Sequence, residues 1–146
     1  MKARLLLAEA ATAHPDGTIS MLRAGITNVW GEKAPVPLQA SLVTRIEADP
    51  GDMGKHAVEI FLMDVDGKEV MPKLSGEFEV ARGGGHNNII LNFQVQFPAL
   101  GMFQFVIRVD NVQYDTWSLR TAKPPASQGA LGAGPGTPQM PPPPVH

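Results

Sequence analysis

The segment Phe97–Asn111, FPALGMFQFVIRVDN, joins a corner, a strand and a tight turn in one short stretch. After Phe97 comes the corner Pro98–Gly101, whose proline and glycine interrupt regular structure. Apolar and polar residues then alternate from Met102 to Asp110, and this period of two predicts a strand with one buried face. The Asp-Asn pair at its end suits the positive φ angles of a tight hairpin. The segment therefore predicts antiparallel β-structure.

The same alternation recurs along the chain. Odd-numbered residues of Asn88–Phe97 are apolar and even-numbered ones polar, except Ile90. Ala57–Val65 is apolar on both sides, which predicts a central strand. Alanines and leucines in Lys2–Ala13 favour helix by propensity, but the Asp-Gly turn that follows favours a strand. The predicted strands are Lys2–Ala13, Thr18–Leu22, Leu38–Ala48, Ala57–Val65, Lys68–Met71, Gly76–Val80, Asn88–Phe97, Met102–Asp110 and Val112–Leu119.

Eight or nine short antiparallel strands, at spacings of roughly ten residues, predict an all-β fold. The expected architecture is a β-sandwich, immunoglobulin-like or jelly-roll-like. Its domain is predicted to span residues 1–121, a length at which roughly two-thirds of the unfolded surface can be buried. Residues 122–146 hold eight prolines and four glycines. That composition predicts a flexible tail, locally polyproline II, that does not join the core.

Composition excludes several classes of function. The net charge of −2 and the charged fraction of 18% give no basic excess for binding nucleic acid or an anionic membrane. No stretch approaches the ~20 apolar residues of a membrane span. The chain has no cysteine, so disulfides and thiolate chemistry are excluded and a cytoplasmic location is favoured. The apolar run after Lys2 is interrupted by Glu9 and is too short for a signal peptide.

Two resemblances support this fold. The corner Pro98–Gly101 with the aromatic residue at Phe103 resembles a corner of bacterial immunoglobulin-like domains, where a tyrosine hydroxyl often closes the turn. Phenylalanine cannot make that hydrogen bond. The body of the chain also resembles a family of small bacterial proteins of unknown function, which implies a β-sandwich and supplies no activity or catalytic residues to carry over. The segments that carry this second resemblance are Leu5–Glu9, Asp16–Gly25, Trp30, Asp64–Gly67, Gly76–Val80, the corner itself and Trp117.

No residues show the spacing of a catalytic or metal centre. Asp64–Gly67 resembles the start of a calcium loop, but Lys68, Glu69 and Ser75 occupy positions where an EF-hand needs ligands and a glycine. The histidines are not spaced as metal pairs, and the chain lacks a G-x-S-x-G elbow. The sequence thus predicts a protein without enzymatic activity, metal or cofactor.

The most suggestive loop is Arg82–Asn88, RGGGHNN. Its glycines expose backbone N–H groups that can hold an anion or a sugar hydroxyl, although the same glycines can simply permit positive φ in a connection. In a simple meander the Asp110-Asn111 turn would lie at the same end. The candidate ligand-binding residues are Arg82, Gly83, Gly84, Gly85, His86, Asp110 and Asn111.

Two functions are compatible with these features. The preferred one is a non-enzymatic interaction or assembly module that binds protein, including further copies of itself, through sheet edges without partners. The alternative is a small-ligand or carbohydrate-binding sandwich that uses Arg82–Asn88, with a contribution from Trp30.

Overall fold

The computed structural model describes residues 1–125. Within them the chain forms strands joined by short connections, together with one turn of 3₁₀ helix at Pro50–Asp52. The strands are β1 (Lys2–Ala13), β2 (Ile19–Ala24), β3 (Asn28–Trp30), β4 (Val36–Ala48), β5 (Gly54–Asp64), β6 (Leu74–Val80), β7 (Gly85–Phe97), β8 (Gly101–Val109) and β9 (Val112–Ala122).

These nine strands form two sheets within the described residues. The four-stranded sheet has the order β2-β1-β4-β7, and the five-stranded sheet has the order β3-β9-β8-β5-β6. All pairs are antiparallel except β3 with β9. One apolar core contains buried residues from both sheets. The predicted all-β sandwich is therefore confirmed.

The alternation read from the sequence places the core correctly. Phe105 and Ile107 on β8 are fully buried, and Phe105 meets Phe93 edge to face, with ring centroids 5.3 Å apart. Such aromatic pairs stabilise a core beyond the area they bury. β5 lies between β8 and β6, as its two apolar faces predict. β1 extends over Lys2–Ala13, so pairing with β4 in its first half and with β2 in its second half overrides the local preference for helix.

The corner of the opening segment carries the chain from one sheet to the other. β7 ends at Phe97 in the four-stranded sheet, and β8 starts at Gly101 in the five-stranded one. A hydroxyl does close this corner, although it comes from Thr121. Its Oγ1 donates to the carbonyl of Ala99 at 2.9 Å and accepts from the amide of Gly101 at 3.0 Å. The expectation that no hydroxyl closes this corner, which rested on Phe103, is therefore wrong, because Thr121 supplies the hydroxyl from β9.

Turns and strand ends show where local patterns succeed and fail. Asp110 and Asn111 adopt the predicted positive φ, 51° and 67°, which suits a tight hairpin. The predicted strand Lys68–Met71 is wrong: it contributes only an isolated bridge between Met63 and Glu69. Pro72 follows directly and lacks the N–H that a continuing ladder requires.

The predicted boundary between domain and tail lies at the end of β9. That strand continues to Ala122, one residue past the expected domain. Most of the predicted flexible tail, residues 126–146, lies outside the described residues.

Candidate functional site

Both parts of the predicted ligand site lie at one end of the sandwich. Gly54, at the start of β5, pairs with Val80, the last residue of β6. Nearby on β5, the carbonyl of Ala57 accepts from the amide of Asp110 at 2.9 Å. The connection that begins after Val80 therefore starts at the same end as the Asp110-Asn111 turn.

The glycine-rich loop is shorter than predicted. Gly85, His86 and Asn88 belong to β7, which pairs with β4 from Gly85 opposite Ala48 onward. Gly84 permits this early start, since its φ is +80° and a side chain there would collide with the Ala48 carbonyl. Only residues 81–84 remain as a loop.

The polar groups of this loop make contacts within the protein. The amide of Gly84 donates to the carbonyl of Ala81 at 3.0 Å. His86 lies 3.7 Å from the carboxylate of Glu47, its cross-strand neighbour. Arg82 and Gly83 are exposed. The predicted residues thus lie at one end of the sandwich, but several of them already make contacts with neighbouring residues of the protein.

Asp110 is held by His56, a residue outside the predicted ligand-binding set. Asp110 Oδ2 lies 2.6 Å from Nδ1 of His56, and its Oδ1 accepts from the amide of Ala57 at 3.0 Å. The His56 side chain is 15% exposed and stacks on Phe78. Its Nε2 contacts the carbonyl oxygen of Asp52. Both partners of the ring are acceptors, so only the imidazolium, with two N–H donors, satisfies both.

This arrangement predicts how stability depends on pH. The hydrogen bond to Asp110, with that to the Asp52 carbonyl, raises the pKa of His56, and the bond from His56 lowers the pKa of Asp110. The His56 contribution is complete below its ordinary pKa of ~6.5 and is lost as pH rises through the raised value. The Asp110 contribution is lost as pH falls through its lowered value. Unfolding free energy should therefore fall on both sides of a mildly acidic optimum.

The test is His56→Gln, followed by urea denaturation across pH. We expect a loss of about 1 kcal/mol at pH 6, smaller than for a buried charged pair because Asp110 is half-exposed, and little difference from the parent at alkaline pH. His14→Gln, at an exposed histidine bonded to Ser20, is the control. Equal destabilisation by His56→Gln at every pH would contradict the charged pair.

Trp30 lies at the other end of the molecule. It closes β3 opposite Ala122 of β9, close to the start of β8, where Gly101 pairs with Thr121. Its side chain is 47% exposed. Trp30 thus belongs to a strand, and the distance prevents it from sharing one small ligand with Arg82.

Neither a metal site nor a spanning helix occurs in the described part of the chain. Among residues 1–125, no three histidine, aspartate or glutamate side chains are grouped to hold a metal ion. The same residues contain no helix long and apolar enough to cross a membrane.

The edge strand β7 is the most unusual surface of the sandwich. One side of β7 pairs with β4 along its whole length, from Gly85 to Phe97, and the other side has no strand partner within residues 1–125. Its sequence, GHNNIILNFQVQF, contains no proline, lysine, arginine, aspartate or glutamate. Long uncharged edges are templates for pairing with another chain, and proteins usually protect them with charges, prolines or short strands.

The other sheet edges carry such protection. β6 places Glu77 and Glu79 on its edge, and β2 is short and carries Arg23. β3 has only three residues. Among the described strands, β7 therefore combines the greatest edge length with the least protection.

The core-facing side chains of β7 are incompletely covered. Register places Ile89, Leu91 and Phe93 opposite buried residues of β4, yet all three remain only partly buried. Val95 and Phe97, further along the same row, are buried. An added strand would cover the remaining apolar surface of the three partly buried residues.

The comparison with protein families gives one match. The model described as "Family of unknown function (DUF6941)" matches residues 3–122, which is nearly the whole described chain. No curated protein matches the sequence.

Proposed function

The chain belongs to this family of unknown function, and we propose that it is a non-enzymatic assembly module in which β7 pairs with β7 of a second copy. The single observation that carries this proposal is the long, uncharged and partly apolar edge of β7. Antiparallel pairing across a two-fold axis would join two four-stranded sheets into one continuous sheet. Main-chain hydrogen bonds would supply affinity and the side-chain rows would set the register.

The side-chain pattern of β7 suits pairing with itself. Opposed residues of an antiparallel pair project from the same face, so a two-fold axis at Leu91 places Leu91 against its own copy and Ile89 against Phe93. On the opposite face the same register places Asn88 against Gln94. Apolar side chains thus meet apolar ones on the core-facing side, while on the outer face amides meet at Asn88 and Gln94 and Ile90 lies opposite Asn92.

Charge also favours a second copy over an unlike partner. A strand that recognised a charged peptide would benefit from complementary charge, because electrostatic complementarity sets partner choice and orientation. β7 has no carboxylate or ammonium group, so neither repulsion nor selection for charge acts along it. Pairing with a second copy satisfies the unpaired backbone groups of such an edge and requires no complementary charge.

The experiment is sedimentation velocity over a wide range of protein concentration. The expected result is a monomer–dimer equilibrium. The dimer should be elongated in the direction perpendicular to the strands of the joined sheet. A protein that sediments as a monomer up to millimolar concentration would overturn the proposal.

The ligand-binding alternative has weaker support. Arg82 remains exposed at the end of the sandwich, but both carboxylate oxygens of Asp110 are occupied by His56 and Ala57. A ligand would have to displace these contacts.

We further propose that the module works in the cytoplasm, a location supported by the absence of cysteine from the sequence.

A further inference from the structure

The β1–β2 hairpin folds back over the outer face of the four-stranded sheet, the face turned away from the other sheet. β1 pairs with β4 only from Lys2 to Ala8, and a straight continuation would carry the hairpin tip beyond that sheet. Instead the carbonyl of Gly17, at the tip, accepts from Asn88 Nδ2 at 2.9 Å and from Arg45 Nη1 at 3.4 Å. Arg45 lies opposite Arg4, so the hairpin must reverse to reach it.

A largely apolar cavity lies beneath this hairpin. Its volume is about 420 Å³, within the ~300–1,000 Å³ typical of small-molecule sites. Its apolar walls are formed by Leu6 and Val43 on the sheet and by Ile19 and Met21 on the hairpin. Val43 is 4% exposed although its register places it on the outer face, because the hairpin covers it.

Two arginines line the cavity beside these apolar walls. Arg4 and Arg45 are directly opposite on neighbouring strands and both line the cavity. Like charges in this position repel each other. Neither arginine forms an ion pair with a carboxylate within residues 1–125.

The nearby carboxylates are engaged elsewhere. Asp16 accepts from the amide and the hydroxyl of Thr18, and Glu47 lies 3.7 Å from His86. Their positions leave the two guanidinium groups without a negative partner. An anion between Arg4 and Arg45 would relieve the repulsion.

Arg45 is oriented to receive such an anion. Its Nη1 donates to Asn88 Oδ1 at 3.2 Å and to the Gly17 carbonyl. Nε and Nη2 have no partner among the described residues. These are donors that can bind a carboxylate in a bidentate manner. The side chain is half-buried, which strengthens its interaction with a charge relative to water.

We propose that this cavity binds a small amphipathic anion, a carboxylate with an aliphatic chain. The carboxylate binds Arg4 and Arg45, and the chain lies against Leu6, Val43 and Met21 beneath the hairpin. This site is separate from the free edge of β7, so it does not depend on the proposed assembly.

The test measures binding of octanoate to the whole protein by amide chemical shifts in NMR titrations. We expect saturable shifts centred on Leu6, Ile19 and Val43. Octanol, which has the same chain without the charge, should bind at least about tenfold more weakly, since a hydrogen bond to a charged group contributes more than a neutral one. Octylammonium should not produce these shifts.

Variants test whether the arginines supply the positive charge that binds octanoate. Arg4→Gln, at an exposed side chain, should weaken octanoate binding about tenfold, and Arg4→Lys should restore part of it. Arg120→Gln, an exposed arginine of β9, is the matched control and should leave affinity unchanged. Equal binding of octanol and octanoate, an unaffected Arg4→Gln variant, or no saturable shift at millimolar octanoate would each overturn the proposal.

Discussion

Lysine at both Gln94 and Gln96 is expected to weaken self-association about a hundredfold. Both side chains are exposed on β7, so the substitutions should leave the monomer folded. In the dimer each copy would bring two lysine charges to the strand junction, opposite Asn88 and His86 of the second copy, where their desolvation costs several kcal/mol. About 1.4 kcal/mol corresponds to a tenfold change in affinity, so a hundredfold loss requires about 3 kcal/mol of this cost. Sedimentation of parent and variant measures it.

The control adds the same charge away from the edge. Gln39→Lys lies on β4 directly opposite Gln94, one strand in from the edge, and Gln113→Lys lies on β9 in the other sheet. Both residues are exposed. This double variant should dimerise like the parent. Equal weakening of the two double variants would mean that net charge, and not β7, governs association.

Phe105→Ala should remove about 3–5 kcal/mol from the free energy of unfolding, because truncating a buried phenylalanine loses transfer free energy and leaves a cavity. Phe105 is fully buried, and its ring packs against Phe93 across the sandwich. A domain of this size is stable by only ~5–15 kcal/mol, so the variant should unfold at a much lower urea concentration than the parent protein.

Met102→Ala is the matched control for this truncation. Met102 lies on the same strand, β8, with its side chain 45% exposed. It should cost less than about 1 kcal/mol. Similar losses for the two variants would contradict the placement of the core between the sheets.

The prediction of strands from the sequence succeeded where the alternation is long. It failed where the presence of a pairing partner decides whether a strand forms. β7 and β8 show period-two patterns over many residues, so one buried face could be inferred from sequence alone. β3, Asn28–Trp30, was missed because three residues carry no period. It forms because β9 pairs with it in parallel. Lys68–Met71 was over-predicted because a short run after a turn, with only two apolar residues, does not determine whether a ladder can continue.

The features of functional interest depend on contacts distant in sequence. His56 and Asp110 are 54 residues apart, so no local pattern linked them. The free edge of β7 becomes visible only once the strand order is known, although its lack of charge can be read directly from the sequence. The pairing of Arg4 with Arg45 likewise requires the register of β1 and β4.

Hydrogen exchange along β7 tests the assembly most directly. Alternate amides of Gly85–Phe97 point away from β4, and in the proposed dimer they are hydrogen-bonded to the second copy. These amides should exchange slowly in the concentrated parent protein and quickly in the variant with lysine at Gln94 and Gln96. Equal, fast exchange of these amides in both proteins would contradict pairing through β7.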